Sequence, residues 1–385
     1  MFRFRTAGRL LVAAVAISSQ ALAQMPQRQP TPNDTLKTPQ VLPGNRVAIK
    51  IFAPKASEVM VSGDFLGGAK PLSLTKNEQG VWSVTTEPLK PDYYTYTLTV
   101  DGVRTADPKN PTIKQGISSL ENVMVVTGNE TAFEDNRPVP HGEVRQVWYQ
   151  SGTLGMPRRM HVYTPPGYEK SSAKYPVFYL LHGGGDDDSG WNTIGRAGFI
   201  LDNLIAAGKA KPMIVVMPNG SMPPPSTTGA PNQSQAMSRM RTLFADELLK
   251  DVMPLVEKSY RTLANRENRA IAGLSMGGFQ TLDLTLGHPE LFNYVGVFSS
   301  GFFGSSIDEA ETTYARGLQD ANFNKGKKLF WIEIGKDDFV MDANKKTLAL
   351  LDKHQIKYQY RETDGGHTWI NWRQYLNEFT PNLFR

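Results

Sequence analysis

The chain is 385 residues long, has no cysteine, and sets 42 Lys+Arg against 37 Asp+Glu for a formal charge of +5. That length suits about two domains with a substantial core, and 40% hydrophobic with 21% charged residues excludes wholesale disorder. The lack of cysteine excludes disulfide scaffolds, Cys-ligated zinc, iron–sulfur clusters, thiol nucleophiles and Cys-linked lipid anchors.

Residues 1–23 carry Arg3, Arg5 and Arg9, an apolar run from Leu10 to Ile17, and a small-residue Ala21-Leu22-Ala23 ending. This pattern reads as a secretory signal peptide, too short to anchor in a membrane. Removing its three charges from +5 leaves +2, no argument for nucleic acid or an anionic bilayer. The expectation is an exported protein, and the missing disulfides favour a bacterial periplasm or exterior. Residues 24–44 are polar and Pro-rich and read as a flexible leader.

From 45 to 128 the pattern changes to short alternating runs, such as 46–54, 58–65, 80–87, 93–102 and 121–126, separated by Pro, Gly, Asn and Asp. Period-two alternation at that spacing predicts a small immunoglobulin-like β-sandwich. A second polar stretch, 129–142, reads as a linker. From 143 to 385 strands and helices alternate. Strands are predicted at 144–150, 159–164, 176–182, 213–218, 268–273, 294–299, 328–334 and 356–362, with helices at 196–208, 242–259, 277–287 and 341–354. The unbroken apolar runs Val177–Leu181 and Met213–Met217 suit strands covered on both faces. The fold class is therefore α/β, with a mostly parallel eight-stranded sheet.

The chemistry concentrates at Gly273-Leu274-Ser275-Met276-Gly277, where an apolar strand runs into G-x-S-x-G and a helical pattern follows. A serine at such an elbow needs the room that flanking glycines supply, and the helix start brings positive partial charge to a developing oxyanion. The base is assigned to His367, in the Gly-rich loop after the last strand, because loops at carboxyl ends of strands assemble sites in open α/β sheets. The acid belongs after the preceding strand, where Asp338 is preferred and Asp337 is the alternative. The order Ser275, Asp338, His367 is that of an α/β-hydrolase. Backbone N–H groups of Met276 and Gly184 are the expected oxyanion donors. His182 is read as mattering through its backbone, His141, His161 and His354 as structural, and His288 as a helix cap. Asp186-Asp187-Asp188 is read as a solvated turn, since consecutive acids cannot share one ion. Neither metal nor organic cofactor is called for.

Several segments resemble carbohydrate esterase family 1, the feruloyl and acetylxylan esterases with relatives of the esterase D and enterochelin esterase type. They are Val162–Tyr168, Tyr179–Gly184, Pro212–Gly220, Gly273–Gly278 and Gly365–Trp369. Residues 45–127 resemble the glycogen-binding-like module of carbohydrate-binding family 48, through Gly63-Asp64-Phe65, Trp82, Val100-Asp101-Gly102 and Asp107-Pro108. Leu66-Gly67-Gly68 stands where that module usually has a stacking tryptophan, so Trp82 is read as a packing or substrate-shaping residue. The resemblance implies an apolar pocket for a phenolic acid near the serine. Trp191, Trp369, Trp372, Phe302, Phe303 and Phe339 are placed on loops that could reach it, and the long loop 219–241 is a candidate lid. The activity the resemblance implies is serine-esterase release of hydroxycinnamoyl groups, chiefly ferulate, from plant cell-wall arabinoxylan, with feruloylated or acetylated xylan and xylo-oligosaccharides as the expected partners. Acetylxylan deacetylation, siderophore-ester hydrolysis, acyl transfer, and carbohydrate binding without catalysis are the alternatives.

Overall fold

The computed structural model describes residues 28–223, 233–303 and 307–385, so the signal peptide read at 1–23 and the middle of the 219–241 loop lie outside the described residues. Among the described residues, ten short strands build the N-terminal unit: β1 (Gln40–Leu42), β2 (Arg46–Phe52), β3 (Val59–Gly63), β4 (Leu72–Ser73), β5 (Thr75–Lys76), β6 (Val81–Thr85), β7 (Asp92–Val100), β8 (Val103–Thr105), β9 (Ile113–Gln115) and β10 (Leu120–Val126). They form two antiparallel sheets, ordered β1-β2-β6-β5 and β4-β3-β7-β10-β9, with β8 on β7. Inward residues of the first sheet, Val47, Ile49 and Ile51, pack with Val59, Val61, Tyr96 and Leu98 of the second. Trp82 belongs to this core, and its indole N–H donates to the Ala53 carbonyl at 2.9 Å. It is a packing residue, not a sugar platform.

The stretch read as a flexible leader and the one read as a linker are both partly bound. Residues 40–42 pair with β2, and Thr38 accepts the Lys50 N–H at 3.0 Å while donating to Asp107 at 2.9 Å. In 129–142, the carbonyls of Phe133 and Asp135 take both protons of the Asn203 amide, and His141 sits 2.8 Å from Asp202.

The second unit contains β11 (Glu143–Ser151), β12 (Met156–Thr164), β13 (Val177–Leu181), β14 (Ile214–Pro218), β15 (Arg269–Leu274), β16 (Tyr294–Phe298), β17 (Leu329–Gly335) and β18 (Gln359–Thr363). Their order is β11-β12-β14-β13-β15-β16-β17-β18, parallel from β14 to β18 and antiparallel at β11–β12 and β12–β14. From β13 the chain steps to β14 on one side and then crosses to β15 on the other. A crevice therefore opens at the carboxyl ends of β13 and β15, where open α/β sheets bind ligands. All five residues of β13 and of β14 are buried, as two covering layers require.

The helices are α1 (Ala197–Ala206), α2 (Gln233–Glu247), α3 (Met253–Ser259), α4 (Met276–Gly287), α5 (Ile307–Thr313), α6 (Ala315–Leu318), α7 (Phe323–Gly326), α8 (Met341–Lys353) and α9 (Trp369–Phe379). The helix predicted at 242–259 is two helices joined by a π turn over Leu248–Val252. Pro254 is the reason, because it offers no N–H to the turn before it and its ring crowds the Lys250 carbonyl. Among the described residues no helix is long and apolar enough to cross a membrane.

Helix α9 is not among the predicted helices, and it carries Trp369 and Trp372, which the sequence places on a loop. Trp369, Trp372, Leu376 and Phe379 recur at helical spacing and are all buried, so the signal was present. Arg373 on this helix ties the two units together. Its buried guanidinium pairs with Asp92 and, at 2.5 Å, with Glu134, and donates to the carbonyls of Ile194 and Tyr93 at 3.0 Å.

Candidate active site

Ser275 stands between β15 and α4 with φ +50° and ψ −115°. Such a backbone costs a non-glycine residue on the order of 1–3 kcal/mol and persists only where its surroundings impose it. Here they do: its N–H donates to the Phe298 carbonyl at 2.9 Å, and its own carbonyl accepts from the Ser300 hydroxyl at 2.7 Å and the Phe279 N–H at 3.0 Å. Glycines make the close approach possible. A Cβ on Gly273 would strike the Gly277 backbone, and one on Gly277 would lie 2.6 Å from the His182 carbonyl. Met276 follows as the first helical residue, so its N–H points out of the helix start with no partner from the previous turn.

Asp338 and His367 follow β17 and β18, strands of the same parallel edge that carries Ser275. The His367 Nδ1 lies 2.9 and 3.1 Å from the two Asp338 carboxylate oxygens. Asp338 is 4% exposed whereas Asp337 points to solvent, so the structure brings Asp338, and not its neighbour, to the imidazole. Burial alone would raise the Asp338 pKa. The bond to His367, the Val340 N–H at 3.0 Å and the Ser299 hydroxyl outweigh it and hold the carboxyl below its ordinary value. The two loops are zipped by backbone, with Lys336 N–H on the Thr363 carbonyl (2.8 Å) and Asp337 N–H on that of Gly365 (3.0 Å). The imidazole is wedged between Phe339 (4.4 Å) and the edge-on Trp372 (5.0 Å).

The loop after β13 corrects two sequence readings. The His182 ring, and not just its backbone, is a structural element. Its Nδ1–H donates to the Gly183 carbonyl and its Nε2 accepts the Gly220 N–H, both at 2.8 Å, which fixes one neutral tautomer. Burial lowers its pKa and keeps it neutral. Asp186, Asp187 and Asp188 are buried, not a solvated turn. Asp186 pairs with Lys114 of the sandwich at 2.7 Å, Asp187 with Arg159 at 3.0 Å, and Asp188 with Arg159 at 2.8 Å and His161 at 2.7 Å. Arg159 and His161 are two apart on β12 and so share a face; two basic residues at that spacing were the available sign of a buried acidic partner. Gly183 packs beside Ser275, a Cβ there standing 3.4 Å from that of the serine, while Gly184 is exposed and has open space around it.

The aromatic residues divide. Trp191 and Trp369 are core residues packed edge to face at 5.1 Å, and the Trp191 N–H donates to the Leu181 carbonyl. Phe302 is buried and stacked on Tyr314. Trp372 is buried behind His367, while Phe303 is half-buried against Phe279. Phe339 alone of the six is largely open, at 79% exposure. Of the loop 219–241, residues 233–241 are the first part of α2, and residues 224–232 lie outside the described residues. Among the described residues no group of His, Asp and Glu is placed to hold a metal ion.

The sheet order and the strand–Ser275–helix elbow define an α/β-hydrolase, with a β-sandwich in front of it. The chain belongs to the putative esterase family, whose model matches residues 151–383, and residues 37–112 match carbohydrate-binding module 48, the isoamylase N-terminal domain. It is 31% identical over 378 residues to an endo-1,4-beta-xylanase/feruloyl esterase of Xylanibacter ruminicola, which covers 94% of this chain and 49% of the relative. The chain thus spans about half the length of that relative, and its match to an esterase of Mycobacterium tuberculosis takes in 28% of that protein at 37% identity over 36% of this chain. Among solved structures, a ferulic acid esterase of Anaeromyces mucronatus in complex with ferulic acid aligns at TM-score 0.56 and 26% identity, over 65% of this chain and 93% of that one. The enterochelin esterase of Shigella flexneri aligns at 0.64 over 88% of this chain and 92% of its own, a likeness of fold that spans both units at 17% identity.

Proposed function

We propose that the protein is an exported serine carboxylesterase that releases hydroxycinnamoyl groups, chiefly ferulate, from plant cell-wall arabinoxylan. The observation that carries this reading is the strained Ser275 elbow on the same sheet edge as a carboxylate-held imidazole. In this scheme Ser275 Oγ attacks the ester carbonyl and passes its proton to His367 Nε2, with Asp338 holding Nδ1–H and stabilising the imidazolium. The N–H groups of Met276 and Gly184 take the oxyanion. Collapse of the tetrahedral adduct breaks the acyl–oxygen bond, and the sugar alcohol leaves with the proton from Nε2. Water then repeats the sequence to free the acid and restore Ser275.

Aromatic acyl preference is supported by the feruloyl esterases among the relatives and by Phe339, an apolar ring left open directly beside His367. Export is supported by residues 1–23, and N-terminal sequencing of the mature protein should begin at Gln24. The protein and its Ser275→Ala variant, incubated with methyl ferulate and separately with acetylated xylan, test the activity. Ferulate release lost by about 10⁴-fold or more in the variant is the expected result. Acetate release alone would keep the serine chemistry and move the enzyme to xylan deacetylation.

A further inference from the structure

We propose that Lys114, in the β-sandwich, is a positioning residue for catalysis: through Asp186 it holds the Gly183–Gly185 turn at the oxyanion, so that the two domains share one catalytic site. The inference rests on the reading of Gly184 as an oxyanion donor.

A turn of three glycines has no stiffness of its own, yet an oxyanion donor must sit within about 2.7–3.1 Å of the charge it meets. The position must therefore come from anchors. Before the turn His182 is held by Gly220, and beyond it Asp187 and Asp188 are held by Arg159 and His161, all within the hydrolase unit. Asp186, the residue that closes the turn, is held from the sandwich. Lys114 on β9 places its ammonium 2.7 Å from Asp186 and 3.0 Å from Glu121, with the Lys114 and Asp186 side chains 10% and 7% exposed. Burial opposes the charge, but the two carboxylates outweigh it and hold the lysine pKa above its ordinary value. Beside this pair Gly116 forms a β-bridge with Asp186, and the Ile117 N–H donates to the Gly185 carbonyl at 3.0 Å. A Cβ at 116 would run into that same carbonyl, so the approach needs glycine. Asp186 in turn donates its N–H to the Gly183 carbonyl, closing the turn with Gly184 at its tip. A strand edge, a glycine contact and a buried ion pair from one domain thus converge on a four-residue turn of the other.

The test uses the full-length protein with methyl ferulate and p-nitrophenyl acetate as substrates. Every ester passes through the same oxyanion, so Lys114→Met should lower kcat for both by a similar factor of about 10–100, leave KM within about twofold, and be largely rescued by Lys114→Arg. Gly116→Ala, which pushes the turn while keeping the charge, should repeat that pattern. It decides the matter should Lys114→Met fail to fold, as judged by its melting transition. Unchanged kcat in either folded variant overturns the proposal. So does a loss confined to the KM of methyl ferulate, which would make this face a substrate-binding surface. Ser275→Ala is run alongside: turnover surviving there defeats the catalytic reading itself, whereas a dead Ser275→Ala with a fully active Lys114→Met defeats only the role of Lys114.

Discussion

Two sides of the same crevice are held in opposite ways. The Ser275 elbow and the loops of Asp338 and His367 are secured by backbone bonds between neighbouring strand ends, together with glycines that admit them. The 182–188 loop, one strand away from the elbow, has a backbone contact from residues 116–117 but is secured chiefly by buried side chains of Arg159, His161 and Lys114 that are remote in sequence. Backbone-held loops can lose a side chain and keep their shape. A loop held by buried ion pairs loses its shape with the side chain, because breaking such a pair strands a charge without solvent.

This contrast sets the predictions. Asp338→Asn should cut kcat by about 10³–10⁴-fold, because it removes the carboxylate charge and lets an amide N–H₂ face the imidazole, favouring the wrong tautomer, with little change in melting temperature. Asp337→Asn should stay within about twofold; a larger effect there would show that the wrong aspartate has been paired. Arg159→Met, in the loop held by side chains, should behave the other way round. It leaves Asp187 and Asp188 buried without their guanidinium, at a cost of about 2 kcal/mol or more read by urea unfolding. A melting curve indistinguishable from the parent would erase the distinction between the two sides.

A further prediction concerns pH. Burial lowers the pKa of His182 in the folded state, so the unfolded chain binds a proton that the folded chain refuses. Stability from this group is therefore full above the unfolded value, near 6.5, and falls as pH drops below it, by at most about 1.4 kcal/mol per pH unit. His182→Asn should flatten the slope of stability between pH 7 and pH 5, and an unaltered slope would reject a neutral His182 as its source. The smallest effect is expected from Phe339→Ala. Removing this exposed ring should raise KM for methyl ferulate a few-fold (about 1 kcal/mol of aromatic contact) and leave acetyl ester hydrolysis nearly unchanged. Equal changes for both esters would mean that the ring steadies His367 and does not meet the acyl group.

Local patterns carried much of this molecule. Alternation in 46–52 and 93–100 marks sandwich strands, continuous apolar runs mark β13 and β14, and G-x-S-x-G marks the elbow, because each depends on residues within one turn or one strand. Helix α9 was legible too, through its spaced Trp369, Trp372, Leu376 and Phe379, but an expected loop around His367 obscured it. The π turn before Pro254 was signalled by the proline itself.

Other features had no local signature. Nothing near Asp186-Asp187-Asp188 distinguishes a solvated turn from a buried one, since their partners lie on β9 and β12, dozens of residues upstream. The choice between Asp337 and Asp338 likewise awaited the packing of the β17 and β18 loops against each other. The same holds for the aromatic residues, where Trp191 and Trp369 turned out to fill the core and Phe339 stayed open. Periodicity and turn chemistry are written in neighbouring residues and so determine the strands, the elbow and the class of fold. Burial and charge pairing join residues far apart in the chain, and are decided only when tertiary structure removes water from between them.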